Sequence, residues 1–544
     1  PAGDAHAHHA GSSIPYPGSH HMPQWESGPL AAPPAFQWSW KQIGMFLGPG
    51  LVMGASAIGG GEWLTGPLNT ARYGGAILWL ATLSIIGQTL YNIEISRYTL
   101  YTGEPIFTGK FRIKPGPLMW LPLYLVLDFG SFFPYLAANA AVPLATVLIG
   151  GVPESGSSVP LSFIGSDSTI QVAMLVKILS CIIFLCALLP LLFGGKVYNS
   201  LKAVMSFKLI VVLGFLTFLA LFYSSAATWA DIVTGFFRFG TIPVVDPSNP
   251  AATENIFTSL FSGSGFPQLD FAAVGILAAM AAIAGNGGLT NTPISNFTRD
   301  QGWGMGREVG AIPSIIGGHT IHLSHVGKVF GISPEALTRW TGWVKHISRD
   351  QLFIWMPACF IGIALPSMLS VQFLPHGTVL GPKDGWKAAV MTAGGVQEAV
   401  GGWGGGLCWY LTLLCGFLVL MTSMVSTADG VLRRWVDVFW TALPWLRKMD
   451  TRAIGPLYFG VLCIYGICGL LLLALVPSPD QLLKISTNIY NYALGFSCFH
   501  VIAINTTLLP RELRPSLLRR CVLGSAGVFF LLIAGLSTYA MLRG

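Results

Sequence analysis

Apolar stretches of bilayer-crossing length recur along nearly the whole of this 544-residue chain. A helix needs ~20 predominantly apolar residues to cross the hydrocarbon core, because it rises only about 1.5 Å per residue. Such stretches fall near residues 43–66, 73–98, 117–149, 170–193, 202–223, 270–297, 352–375, 403–430, 455–477, 483–508 and 519–541. Hydrophobic residues make up 53% of the chain and charged residues only 10%, whereas a soluble domain carries roughly 25% charged residues. The chain reads as an all-α integral membrane protein of about eleven helices, with the lipid bilayer as its main partner. The leader before the first stretch is polar, without the apolar core of a cleavable signal peptide.

The lysines and arginines sort onto alternate connections. One set carries Arg97, Lys110, Arg112, Lys114, Lys196, Arg299, Arg307, Lys345, Arg433, Arg434 and Arg519, among others; the opposite set carries only Arg72, Arg238, Lys383 and Lys387, with Lys484 at a span edge. The positive-inside rule then places the N-terminus in the cytoplasm and the C-terminus outside it, in a multi-pass protein of the cell inner membrane. That asymmetry accounts for the net charge of +7 without a nucleic-acid partner. The nine cysteines lie in or beside apolar stretches, so they read as small packing residues and not as a disulfide framework.

Two stretches are interrupted by glycine. The first holds Ala57-Ile58-Gly59-Gly60-Gly61-Glu62-Trp63; the sixth holds Ala282-Ile283-Ala284-Gly285-Asn286-Gly287-Gly288 at matching depth. Glycine inside a helix costs about 1 kcal/mol relative to alanine, so clusters of it favour unwinding. In lipid, unwound backbone persists only where it is buried in protein or lines a wet cavity. One break opens the first five stretches and the other opens the next five, the pattern of transporters built from inverted repeats. Close helix packing by small residues is the plainer alternative. Glu62, an ionisable group deep in a span, marks an ion or proton path, and Asn286 offers an amide oxygen from the facing break. Exposed amides at such a break can instead attract an anionic group. Asp128, in the third stretch, is a proton-relay candidate, with a structural hydrogen bond as the alternative.

These residues resemble the Nramp family of divalent metal transporters, within the group sharing the LeuT fold. The likeness rests on Gly48-Pro49-Gly50, Tyr73-Gly74-Gly75 and Leu78-Trp79, then on Ser426-Thr427, Thr451-Arg452, Asn505-Thr506-Thr507-Leu508 and Arg514-Pro515, in order along the chain. It implies a LeuT-like 5+5 inverted repeat with an eleventh helix. The divisions expected are a disordered His/Pro/Gly-rich tail (1–40), a first repeat (41–223), an extracytoplasmic loop capping the outer face (224–269), a second repeat (270–508) with a cytoplasmic insert (299–351), and the eleventh helix with the C-terminus (509–544). His6, His8, His9, His20 and His21 of the tail could bind a metal loosely, and the tail could dock a protein partner. His319, His322 and His325, spaced by three within the insert, read chiefly as polar surface.

The metal-binding motifs depart from the family. Its first-span Asp-Pro-Gly-Asn falls on Gly59, Gly60, Gly61 and Glu62; its sixth-span Ala-x-x-Met-Pro-His falls on Ala281, Ala284, Gly285 and Asn286. The metal-binding Asp, the Met and the His are absent. What remains is Glu62, Asn286, carbonyls around Ser56, Gly59, Ala281 and Ala284, and Thr487 or Asn491 from the tenth span. An oxygen-only set with one carboxylate suits a hard cation such as Mg²⁺, which sheds water reluctantly, better than a softer transition metal. The sequence therefore points to an Nramp-like transporter or uniporter of a small cation, with no resident cofactor and no enzymatic nucleophile–base arrangement. A transporter of a small organic substrate, or a scaffold or sensor that keeps the fold without transporting, are the alternatives.

Overall fold

The computed structural model describes residues 13–14, 18–19, 21–34, 62–154, 156–160, 168–193, 196–309, 326–381, 384–449 and 454–543; at 13–14, 193, 196–206, 209, 447 and 454 it describes the backbone alone. Gly59, Ser56 and His319, His322 and His325 lie outside these residues.

The first half holds α1 (Glu62–Tyr73), α2 (Trp79–Thr102), a short α3 (Ile106–Arg112), α4 (Pro117–Leu127), α5 (Tyr135–Ile149), α6 (Val172–Phe193) and α7 (Lys196–Phe222). A helix of the connecting segment, α8 (Ala226–Gly235), follows. The second half holds α9 (Phe271–Ile283), α10 (Pro293–Asp300), α11 (Pro334–Asp350), α12 (Met356–Phe373), α13 (Ala393–Val400), α14 (Gly402–Ala442), α15 (Ile454–Leu475) and α16 (Pro479–Thr507), and α17 (Leu517–Arg543) closes the chain. Among the described residues seven helical segments are long and apolar enough to cross a bilayer, or nine if two bent pairs each count as one span. Of the eleven expected crossings, α16 falls short of that apolarity, and the first lies partly outside the described residues.

Local sequence sets the ends of the central elements. Asp270 caps α9 by accepting the Ala272 N–H, and a run of alanine and other apolar residues carries the helix to Ile283. Gly285, Gly287 and Gly288 then adopt φ of +116°, +69° and +54°, the left-handed region that side chains avoid. A Cβ on Gly288 would come 2.6 Å from the Tyr490 ring, so the break is also packed. Ser478 caps α16 by accepting from Gln481, with Pro479 in the first turn where its missing N–H costs nothing. The third expected span is split: α4 ends at Asp128, a 3₁₀ turn covers Phe129–Phe132, and α5 starts after Pro134.

On one face, hereafter the cap face, α8 lies against the turn between α1 and α2. Asp231 accepts the Gly75 N–H at 2.6 Å and pairs with Arg238 at 3.0 Å. The strands Thr241–Pro243 and Thr253–Asn255 of this segment pair antiparallel and meet α2 where Trp79 Nε1 donates to the Thr241 carbonyl at 2.7 Å, and Arg72 of α1 pairs with Asp270 at 2.8 Å. The opposite, basic face differs from expectation in two ways. Residues 21–34 of the leader, expected to be disordered, are docked, with Met22, Trp25 and Leu30 buried. Tertiary partners, not periodicity, order them. Several charges expected in open connections are also buried, because they pair: Arg97 with Glu94 at 2.7 Å, Arg112 with Glu104 at 2.5 Å, and Arg434 with Asp128 at 2.6 Å.

Candidate functional site

Glu62 is the first described residue of α1 and is 1% exposed. Its Oε1 accepts the N–H of Gly285 at 3.2 Å. The acid of the first interruption thus touches the unwound segment of the second, and the two stretches singled out in the sequence meet inside the protein.

The unwound segment is held chiefly by a residue that the sequence reading did not select. Gln88 of α2 turns its Oε1 to the N–H groups of Asn286 and Gly287, both at 3.3 Å, and to Asn291 Nδ2 at 2.7 Å. Its Nε2 donates to the Ala284 carbonyl and to Ser84 Oγ, both at 2.9 Å, and Ser84 Oγ donates to the Ala281 carbonyl at 2.5 Å. One buried amide therefore satisfies most of the polar groups that the break releases. The only sequence signal was a Gln and a Ser one turn apart in an otherwise apolar span.

The remaining candidates divide. The carbonyls of Ala281 and Ala284 face α2 and are already engaged there, each keeping a second lone pair. Asn286 keeps its side-chain Nδ2 buried and unpartnered. Asn491 donates to the Ala278 carbonyl of α9 at 2.9 Å, and its buried Oδ1 has no partner. Thr487, one turn earlier on α16, spends its hydroxyl on the carbonyls of Leu483 and Lys484 in its own helix. Among the described residues no three His, Cys, Asp or Glu side chains gather as a metal cage. The oxygen and amide groups named here are what the site can offer an ion.

Asp128 lies apart from Glu62, at the end of α4, and is fully buried. Its Oδ2 accepts from Arg434 Nε at 2.9 Å and Trp435 Nε1 at 2.8 Å, and its Oδ1 accepts from Ser131 at 2.8 Å. Arg434 also donates to the Leu289 carbonyl at 3.1 Å, just past the α9 break. The third-span acid is therefore part of a clamp on the second half of the broken helix. Arg434 appeared in the sequence as a loop charge because its helix runs twelve residues beyond the apolar stretch.

No family model matches the chain, and no curated protein sequence matches it. Solved structures do match. A histidine-to-alanine variant of the manganese transporter of Eremococcus coleocola superposes with a TM-score of 0.57 at 12% identity, covering 94% of this chain and 97% of that one. The same transporter in complex with an aromatic bis-isothiourea compound gives a TM-score of 0.54 at 13% identity with the same coverage. This chain shares that transporter's fold, the LeuT fold. That fold is a 5+5 inverted repeat with an eleventh helix, and the protein is multi-pass in its membrane.

Proposed function

We propose that the chain is a secondary transporter or uniporter of the Nramp-related kind, moving a hard cation by alternating access between its two faces. The observation that carries this reading is the buried Glu62 carboxylate reaching from α1 to the break in α9. A buried acid is costly away from positive charge; the buried Lys208 lies within the field of Glu62, and a loading cation would add to that balance. On loading, the cation would draw Glu62 away from the Gly285 N–H. The unpartnered Asn491 oxygen and the free lone pairs of Ala281 and Ala284 would complete an oxygen shell, with some water retained. Asp128 enters as a candidate proton relay, held at rest by Arg434, Trp435 and Ser131. The charge rule places the basic face, with the N-terminus, in the cytoplasm.

An all-oxygen site favours Mg²⁺, and Mn²⁺, the ion named for the structural neighbours, also accepts oxygen ligands. Flux of Mg²⁺, Mn²⁺ and Ca²⁺ into proteoliposomes tests the reading directly. Glu62→Ala should abolish uptake of whichever ion is carried; unchanged uptake in that variant would defeat the assignment.

One observation favours a second reading. The Gly285 N–H already serves a carboxylate, so a protonated Glu62 would leave it for the carboxylate of a small organic substrate. Thermal-shift screening separates the two, since stabilisation by amino acids and not by divalent ions would support the second.

A further inference from the structure

Residues 21–34 lie in a groove on the basic face, walled by the end of α2, by α3, by the strand Lys328–Val329 and by α11. Trp25 fills its floor. The indole is 2% exposed, donates to Glu104 Oε2 at 3.3 Å, stands edge-on to Tyr101 with centroids 5.8 Å apart, and carries the Arg112 guanidinium over its ring at 5.3 Å. The main chain is zipped beside it: Glu26 N donates to the Gly327 carbonyl and Gly28 N to the Val329 carbonyl, both at 3.0 Å. Farther along, Arg339 and Trp343 of α11 donate to the carbonyls of Leu30 and Ala31 at 2.7 and 2.9 Å. Gly342 is bare beneath Pro33, where a Cβ would come 2.6 Å from the ring. A main-chain ladder with spaced apolar anchors is how an extended peptide docks on a sheet edge.

The groove is connected to the broken helix through α3. Docking completes the buried Glu104–Arg112 pair, since the Pro23 carbonyl accepts from Arg112 Nη1 and the Ser19 N–H donates to the Arg112 carbonyl at 2.7 Å. At its other end α3 meets the second half of the broken span, the Ile106 N–H donating to Ser295 Oγ of α10 at 3.1 Å. Its Lys110 donates to Ser497 of α16 at 2.8 Å.

We infer that this groove is a peptide-binding site filled in cis by residues 21–34, and that its occupancy holds the basic face shut by keeping α3 seated under α10. The inference rests on the transport reading above, because it assigns a gate to that transport cycle. Bonds from one peptide to α3, to the Lys328–Val329 strand and to α11 make these three elements move as one body. The turn after α10 packs on α11, Trp303 lying against the rings of Trp343 and His346, so parting α3 from α10 and α11 together requires the peptide to leave, or to travel with α3 and abandon α11.

Full-length forms in nanodiscs test this by hydrogen–deuterium exchange, with Mg²⁺ and Mn²⁺ flux measured in parallel. Trp25→Ala should raise amide exchange across residues 104–112 and 293–300 about tenfold, because loss of a buried aromatic anchor frees a local opening unit. A second form pairs Ser27→Cys with Val329→Cys, at positions that are register partners. Adjacent strands lie about 4.8 Å apart, within disulfide reach. Oxidised, this form should exchange at or below the wild-type rate over 293–300 and lose flux, and reductant should restore both. Equal exchange and equal flux in the oxidised and reduced forms would overturn the inference, even if Trp25→Ala proved too unstable to study. Absence of flux in every form, the wild type included, would count against the transport reading, while the exchange data would still decide the groove.

Discussion

Glu62 and Gly285 lie 223 positions apart in the chain, yet the carboxylate of the first accepts the N–H of the second at 3.2 Å. Charge and hydrogen bonding at this contact can be varied separately. Glu62→Gln keeps an acceptor of the same shape and removes the charge, whereas Glu62→Ala removes both. Cation flux should fall by about 100-fold or more in each, since a neutral amide cannot balance a buried divalent ion. Only Glu62→Ala should also lower the melting temperature. Full flux in Glu62→Gln, measured in proteoliposomes, would show that charge at this position is dispensable.

Gln88→Leu keeps the bulk of the side chain and strands the amides of Asn286 and Gly287 together with Asn291. Leaving buried donors unpaired costs about 1–3 kcal/mol each, partly recovered by relaxation. A loss of about 2–4 kcal/mol in denaturant unfolding is expected. A variant as stable as the wild type would show that the break is held elsewhere.

Asp128→Asn leaves the Arg434 cation buried without its counter-charge, for a loss of about 3–5 kcal/mol. Pairing Asp128→Leu with Arg434→Met should recover most of the stability, because both desolvated charges disappear together. A double-mutant cycle read by thermal unfolding checks this, and strict additivity would argue against a coupled pair.

Gly288→Ala places a Cβ against the Tyr490 ring at a backbone φ of +54°. The left-handed conformation alone costs about 1–2 kcal/mol for a side-chain-bearing residue. Tyr490→Ala in the same chain should remove the clash and leave the backbone cost, so the double variant should melt between Gly288→Ala and the wild type, once the effect of Tyr490→Ala alone is subtracted.

Lys110, on α3 between two spans, is fully buried, and desolvation holds its amine well below the ordinary lysine range. It faces Ser497, the rings of Phe107 and Tyr124, and the fields of Arg434 and Asp128. Between the depressed folded value and the ordinary unfolded value the unfolded chain binds the extra proton, so stability rises with pH across that window. Lys110→Met should flatten this rise and raise stability at its acid end, read as melting temperature against pH. An unchanged slope would assign the pH dependence to other groups.

The helical plan was legible because bilayer-length apolar runs leave few alternatives, and Gly285, Gly287 and Gly288 marked the break after α9 because left-handed backbone admits little else; the first cluster, at 59–61, lies outside the described residues. The supporting side chains were not legible. Gln88 and Ser84 are uncharged residues inside an apolar run, and only the fold shows that they face unwound backbone and not a neighbouring helix. Arg434 looked like a loop charge because hydrophobicity ends where α14 does not. Residues 21–34 have no periodicity, and their partners Glu104, Val329 and Trp343 lie far along the chain.

The 41-residue helix α14 has a mechanical consequence. At about 1.5 Å per residue it is a rod of about 60 Å, twice the thickness of the hydrocarbon core. An uninterrupted ladder of backbone bonds resists bending, so a tilt of about 5° at the Gly402 end sweeps the far end through about 5 Å. Arg434 rides near that far end, gripping Asp128 and the Leu289 carbonyl. The rod is thus a lever, and a small displacement at the cap face arrives at the clamp beside the α9 break enlarged to the scale on which hydrogen bonds are made and broken.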